Sequence, residues 1–285
     1  MRNIELLDGA MGSQLIQRGL HLPKHIWSAQ ANIDAQEIVY DIHKKYIDAG
    51  ANYITTNTFR STPRSYQKIG LNIEDATHMA KTSLKNAVFQ AKKASNNKCK
   101  VLGSIAPLED CYSPNLFPGA NIAKNEFIQL GKWFKDSEID ILLLETMNSI
   151  IETKTCLDAI STYNLPIWVS FVLKNDEHIL SGETLSDAIQ LVNNYNVDTV
   201  LINCNPLKRT ENALSIISNN WKKRWGIYPN LGVGEPSPDG NIKEIHSDEE
   251  FLHTYKNAIK LGASVIGGCC GSTPKHIKLL KKQSY

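Results

Sequence analysis

The sequence predicts an α/β fold, a single (β/α)8 TIM barrel over residues 1–285, on three observations: eight short apolar runs, a helical period after each, and long loops confined to one side of the alternation. The runs are residues 4–7, 53–56, 101–105, 141–144, 167–172, 199–202, 225–228 and 264–266. They are apolar throughout rather than alternating, as parallel strands covered on both faces are. The stretches between them repeat apolar residues at helical spacing, as in Ile38, Val39, Ile42, Tyr46 and Ile47, or Leu185, Ile189, Leu191 and Val192.

Helix starts are marked by a side-chain oxygen followed three residues on by a carboxylate, the pattern of a reciprocal cap, at Ser149 with Glu152, Thr184 with Asp187 and Ser247 with Glu250. Thr273 before Pro274 is a further start, and Gly50 and Gly262 stand where helices should stop. Helix-to-strand turns are tight, at Gly50-Ala51 and residues 163–166, whereas strand-to-helix loops run long at 8–34, 106–122 and 230–246. A closed barrel gathers those loops on its C-terminal face, where such folds build their sites. In the third loop Gly232, Gly234 and Gly240 suit a moving lid, while Pro236 and Pro238 suit a rigid one. An open doubly wound sheet is the structural alternative. Its first strand should lead into a Gly-rich dinucleotide turn, and only Asp8-Gly9-Ala10-Met11-Gly12 follows here.

Hydrophobic residues make up 42% and charged residues 21% of the 285, the balance of a globular chain with a sizeable core. The 31 basic and 29 acidic residues are interspersed, so the net charge of +2 offers no field of one sign to nucleic acid or to an anionic membrane. Met1-Arg2-Asn3-Ile4-Glu5 runs into a short apolar segment without the longer stretch of a signal peptide, and we expect a cytoplasmic protein. Nothing in the pattern speaks to oligomeric state. Six cysteines without a short-range framework indicate reduced thiols or a metal rather than structural disulfides. Of these Cys99, Cys111 and Cys156 stand alone and suit small buried apolar positions.

The chemistry concentrates at two strand ends, Ile202-Asn203-Cys204-Asn205-Pro206 and Gly267-Gly268-Cys269-Cys270-Gly271. Strands six and eight are next-but-one neighbours in a barrel, so both ends open onto one mouth. Adjacent side chains on a strand point to opposite faces, and Cys269 and Cys270 can share a ligand only if the backbone leaves strand geometry, which Gly267, Gly268 and Gly271 permit. Three thiolates then fill three of zinc's four tetrahedral positions. Alternatively the Gly-rich turn packs tightly, or its amides bind a phosphate in a metal-free aldolase or isomerase, for which Lys174 is the one lysine near a strand end. A non-catalytic zinc scaffold with a closed fourth position is a further alternative. Three thiolates around Zn²⁺ leave one net negative charge, which makes a poor Lewis acid for water. A substrate thiol at the open position still loses its proton there, and its sulfur stays nucleophilic. The composition of the site thus favours alkylation of a thiol.

With those motifs the chain resembles the homocysteine S-methyltransferase family, through Leu7-Asp8-Gly9-Ala10-Met11-Gly12, Thr56-Asn57-Thr58-Phe59, Leu144-Glu145-Thr146 and the two cysteine segments, over nearly its whole length. The resemblance implies zinc on Cys204, Cys269 and Cys270, with homocysteine sulfur as the fourth ligand. It implies too that Asp8 and Glu145 position the homocysteine ammonium, although carboxylates at strand ends also cap loop amides. Backbone amides from Gly9 to Gly12 suit the substrate carboxylate, or the glycines serve a tight turn. Asn57 and Thr58 match a pocket-lining segment, a place where polar residues also serve as caps. Trp27, in Trp27-Ser28-Ala29, matches the position of an aromatic near the methyl donor, where an indole face attracts an onium cation by about 0.5–2 kcal/mol. A tryptophan covering the barrel rim is the plainer use of that residue.

Members of the family differ in donor: S-methylmethionine or S-adenosylmethionine, betaine, or methylfolate through cobalamin on added folate and corrinoid domains. The compact chain, ending at Tyr285 after its last expected helix, is most similar to the S-methylmethionine enzymes, which form methionine. Betaine, or a separate methylcobalamin protein, is the alternative donor.

Overall fold

The computed structural model describes residues 4–233, 240 and 242–283. Its frame is eight strands, β1 (Glu5–Leu6), β2 (Tyr53–Thr55), β3 (Lys100–Ile105), β4 (Ile141–Met147), β5 (Ile167–Phe171), β6 (Val197–Asn203), β7 (Arg224–Tyr228) and β8 (Val265–Ile266), at the eight places the apolar runs predict. All pair in parallel, each with its sequence neighbour from β2 to β8, and β8 with β1. The ring closes between β1 and β2 through a parallel bridge of Leu7 with Tyr53, where the Asn52 amide donates to the Leu6 carbonyl at 2.7 Å and the Asp8 amide to the Tyr53 carbonyl at 3.0 Å. The result is the (β/α)8 barrel that the alternation of runs predicts.

Two apolar zones follow from this geometry. Inside the barrel, Leu7, Leu102, Leu143, Trp168, Leu201 and Val265 fill the lumen, and a larger cluster fills the space between strands and helices. Gly50 and Gly262 end the helices Gln36–Ala49 and Asp248–Leu261 in left-handed geometry, φ 113° at each, as expected. Among the expected reciprocal caps only Ser247 with Glu250 closes both bonds. At Ser149 the hydroxyl takes the Glu152 amide, but the Glu152 carboxylate turns to the Leu108 amide at 2.8 Å. At Thr184 the hydroxyl both accepts from the Asp187 amide and donates to the Asp187 carboxylate. A carboxylate three residues into a helix serves whichever unpaired donor lies nearest, and tertiary structure supplied a nearer one to Glu152.

The first long loop is less irregular than its sequence suggests, since it folds into the helix Met11–Gln17, a 3-10 turn at Trp27–Gln30 and the short helix Ala31–Asp34. Strands β4 and β6 run three and one residues beyond their apolar runs, to Met147 and Asn203, because polar side chains there find partners inside the barrel. At the N-terminal end Arg224 pairs with Glu5 and donates to the Tyr53 hydroxyl. Residues 234–239 and 241, within the expected lid, lie outside the described residues. No helix among the described residues is long and apolar enough to cross a membrane.

Candidate active site

At the C-terminal mouth, β6 ends on Asn203 and the next residue, Cys204, takes φ 55°, which turns its side chain out of strand register. Its amide still donates to the Tyr228 carbonyl at 3.2 Å, so the turn is anchored on β7. The segment after β8 is knitted to both neighbours. The Gly267 amide donates to Ile227, Gly268 to Asp8 and Cys269 to Pro229, at 2.9–3.0 Å. Of the three glycines only Gly271 uses left-handed backbone, φ 82°. Gly268 is needed for closeness, because a Cβ there would lie 2.4 Å from Ser272. Gly9 faces the same crowding, with the Ser272 hydroxyl 2.4 Å and the Tyr46 hydroxyl 2.8 Å from where its Cβ would stand.

This folding brings the sulfurs of Cys204, Cys269 and Cys270 within 4.8 Å of one another, the one such group of three metal-binding side chains among the described residues. Cys204 and Cys270 are 3.9 Å apart, and all three are partly exposed at the mouth. Hydrogen bonds from Cys204 and Cys269 pull the Cys270 thiol well below the usual range. Bonds to Cys204 and Cys270, then burial, push Cys269 well above it. Three soft donors, one from the end of β6 and two from the turn after β8, fit a tetrahedral thiophilic ion such as zinc with a fourth position to spare. The amides of Gly268, Cys269, Gly271 and Ser272 all donate within the protein. Most amides of the Gly-rich turn are therefore already spent, which argues against a phosphate site there.

Two carboxyls lie below the thiols. Glu145, on the lumen side of β4, accepts from the Ser104 hydroxyl at 2.7 Å, and its pKa rises to about 7, chiefly through burial and further through Cys270. Asp8, 4% exposed, accepts from the Thr55 amide at 2.9 Å. Burial raises its pKa well above the carboxylate range, and the charge of Glu145 adds to the rise. Two acids that hinder each other's ionisation in a buried mouth form a ready seat for a cation.

The remaining expected residues are placed as follows. Asn57 donates to the Ser28 carbonyl at 2.7 Å and the Asn32 amide oxygen at 2.9 Å, fastening the β2 end to the turn that carries Trp27. Thr58 donates to the Ser104 carbonyl at 2.8 Å, beside Glu145's partner. Trp27 has φ 45° and is partly buried, its indole flanked by Gly12 and Gly240, where a Cβ would come within 3.0 and 2.3 Å of the ring. Cys156 and Cys111 are buried and Cys99 partly so, and none belongs to the cluster of three, although Cys111 lies near enough for Cys270 to raise its pKa further.

Sequence reasoning missed the supports. Asn203 accepts from the Thr146 amide and the Ser170 hydroxyl at 3.2 and 2.6 Å and donates to the Thr146 hydroxyl at 2.8 Å. It thereby ties β4, β5 and β6 together beneath the site. Thr146 itself has φ 58°, within a register shift between Leu144 and Met147. Tyr112, half exposed on the loop after β3, has its pKa raised by the charge of Cys204, then by burial. Only a polar residue inside an apolar strand end, as at Asn203, carried a signal in the sequence.

A profile of the family described as "Homocysteine S-methyltransferase" matches residues 5–284. Homocysteine S-methyltransferase 1 of Brassica oleracea var. italica is 27% identical, over 97% of this chain and 92% of its own length. Homocysteine S-methyltransferase of Escherichia coli K12 is 27% identical over 99% and 96%. The crystal structure of the E. coli homocysteine methyltransferase MmuM in its metallated form superposes with a TM-score of 0.86 at 26% identity, covering 99% of this chain and 97% of that one. With its barrel, its three clustered cysteines and a family match from end to end, this chain belongs to the homocysteine S-methyltransferase family and is a methyltransferase.

Proposed function

We propose that the protein transfers a methyl group from a sulfonium donor, S-methylmethionine or S-adenosylmethionine, to the sulfur of homocysteine, forming methionine with zinc held by Cys204, Cys269 and Cys270. The carrying observation is the three sulfurs within 4.8 Å at the barrel mouth. The metallated state of the E. coli relative supports a metal there, and the all-sulfur donor set favours zinc among metals. Held by these three cysteines, zinc would supply an open position at which a substrate thiol has a lowered pKa, so that a nucleophilic thiolate would exist at neutral pH.

Asp8 and Glu145 receive the homocysteine ammonium, which relieves their mutual repulsion and returns both to the ionised state. With the ammonium fixed on β1 and β4, the chain of the substrate reaches the thiol cluster on β6 and β8, which presents its sulfur towards the mouth. Gly9 keeps the β1 turn close to Ser272 and so shapes the same wall. Trp27 offers an aromatic face to the donor cation, worth about 0.5–2 kcal/mol, and Asn57 and Thr58 hold the segments that carry Trp27 and Ser104. In the transfer, a homocysteine sulfur lone pair forms the new S–CH3 bond as the CH3–S⁺ bond of the donor breaks. The electron pair stays with the departing thioether and the thiol proton leaves to solvent. We place this chemistry in one homocysteine-binding domain, residues 1–285, of a cytoplasmic enzyme with small-molecule partners only.

The test is methionine formation by purified protein with homocysteine and a panel of donors. We expect turnover with S-methylmethionine, loss of it on chelation and recovery with zinc. Turnover confined to betaine or added methylcobalamin contradicts the donor assignment, and turnover indifferent to chelator contradicts the metal.

A further inference from the structure

Tyr228 closes β7 in register with Asn203, is 2% exposed and packs in the lumen cluster against which Cys269 also rests. Its carbonyl holds the Cys204 amide at 3.2 Å, which ties the end of β7 to the thiol site. Its hydroxyl is shut off from solvent and closes no hydrogen bond of full geometry, although Glu145 and Ser170 both stand close enough to feel it. Glu145, Ser170, Cys269 and Cys204 all lie near enough to act on it. Ser170 spends its own proton on Asn203 at 2.6 Å. Glu145 closes one hydrogen bond of full geometry, from Ser104 on one carboxylate oxygen, with Tyr228 a looser neighbour, and a carboxylate has room for more. A buried hydroxyl without a partner costs stability relative to a ring of the same shape without it. Such a group makes sense where the partner arrives with a ligand.

We infer that Tyr228 is a positioning residue for the ammonium end of the substrate: its hydroxyl is the reserve donor that holds the Glu145 carboxylate charged and aimed once homocysteine is bound. The inference rests on the reading of Glu145 given under the proposed function. In the empty site burial and Cys270 raise the Glu145 pKa to about 7, so the carboxyl is only partly ionised at neutral pH. An arriving ammonium draws the carboxylate into its charged form, and its second oxygen becomes the strongest acceptor within reach of the phenol. Ser104 and Tyr228 then grip the carboxylate from two strands, β3 and β7, and fix the direction in which it meets the ammonium.

Tyr228→Phe tests this on the metal-loaded enzyme, alongside wild type. Since the hydroxyl closes no hydrogen bond of full geometry in the empty protein, the variant should melt no lower than wild type and keep its metal content. Its KM for homocysteine should rise about tenfold, the worth of one hydrogen bond to a charged group, with kcat within about twofold. For 4-sulfanylbutanoic acid, which lacks the amino group, variant and wild type should have the same KM. Added to Glu145→Gln, the substitution should change homocysteine binding no further. An unchanged homocysteine KM, an equal loss with the amine-free thiol, a lowered melting temperature or lost metal each overturns the inference. Failure of wild type to methylate homocysteine sinks the functional reading itself; methylation by wild type with a variant that matches it sinks only the role of Tyr228.

Discussion

At the residue scale the site is a problem in charge. Three thiols within 4.8 Å settle on one easy ionisation, at Cys270, and make the next two hard without a cation between them. Cys269→Ser removes one soft donor from loops outside the layered core. We expect metal content and methyl transfer to fall to background while the far-ultraviolet dichroism stays that of the barrel; wild-type metal content in the variant would exclude Cys269 as a ligand. The carboxyls below carry a pH dependence whose sign follows from their shifts. Glu145 titrates at about 7 in the folded protein against 4.5 for an unperturbed group, so folding takes up a proton between those values. Its contribution favours folding most below the unfolded value and is lost as pH rises towards 7, to a penalty of at most about 3 kcal/mol above it. Glu145→Gln should therefore melt higher than wild type at pH 8, without substrate, and no higher at pH 4. In wild type the KM for homocysteine should climb as pH falls below about 7, where the ammonium loses its charged partner. A KM flat from pH 6 to pH 8 would remove Glu145 from that role.

At the element scale, strand ends rather than strands make the site. Asn203 joins three of them, with bonds of 3.2, 2.6 and 2.8 Å to Thr146 and Ser170, and it sits one residue from Cys204. Asn203→Ala should cost about 2–4 kcal/mol by denaturant unfolding, since it strands buried partners, and should lower kcat along with it. A loss of stability without any change in turnover would separate the network from the site. The eight strands, the glycine caps and the cysteine cluster were legible in the sequence because each rests on residue type at a fixed spacing. The conformations that aim the site were not. Cys204 and Thr146 adopt φ 55° and 58° without being glycine or asparagine, and neighbouring strands impose those angles. Asn57 and Thr58 read as pocket residues, but nothing local revealed that their donors face Ser28, Asn32 and Ser104. The hydroxyl of Tyr228 looked like one more aromatic in an apolar strand. Its want of a partner exists only once the barrel has closed.

At the scale of the molecule the barrel separates stability from chemistry along its axis. The N-terminal end is plugged by Arg224, paired with Glu5 and lying 5.3 Å and 5.8 Å from the ring centres of Trp168 and Tyr53. Arg224→Met should cost about 1 kcal/mol, a partly exposed ion pair with some cation–π attraction, and leave the KM for homocysteine unchanged; a shifted KM would show that the two ends are coupled. The C-terminal end collects the thiols of β6 and β8, the carboxyls of β1 and β4, and Trp27 from the first loop, five contributions that only a closed ring can bring to one mouth. The function proposed for them is that the substrate's sulfur completes the ligand set of a metal held by this chain. X-ray absorption at the zinc edge, recorded with and without homocysteine, tests that most directly. The account predicts three sulfur ligands and one lighter ligand without substrate, and four sulfurs with it; a ligand set unchanged by homocysteine would contradict it.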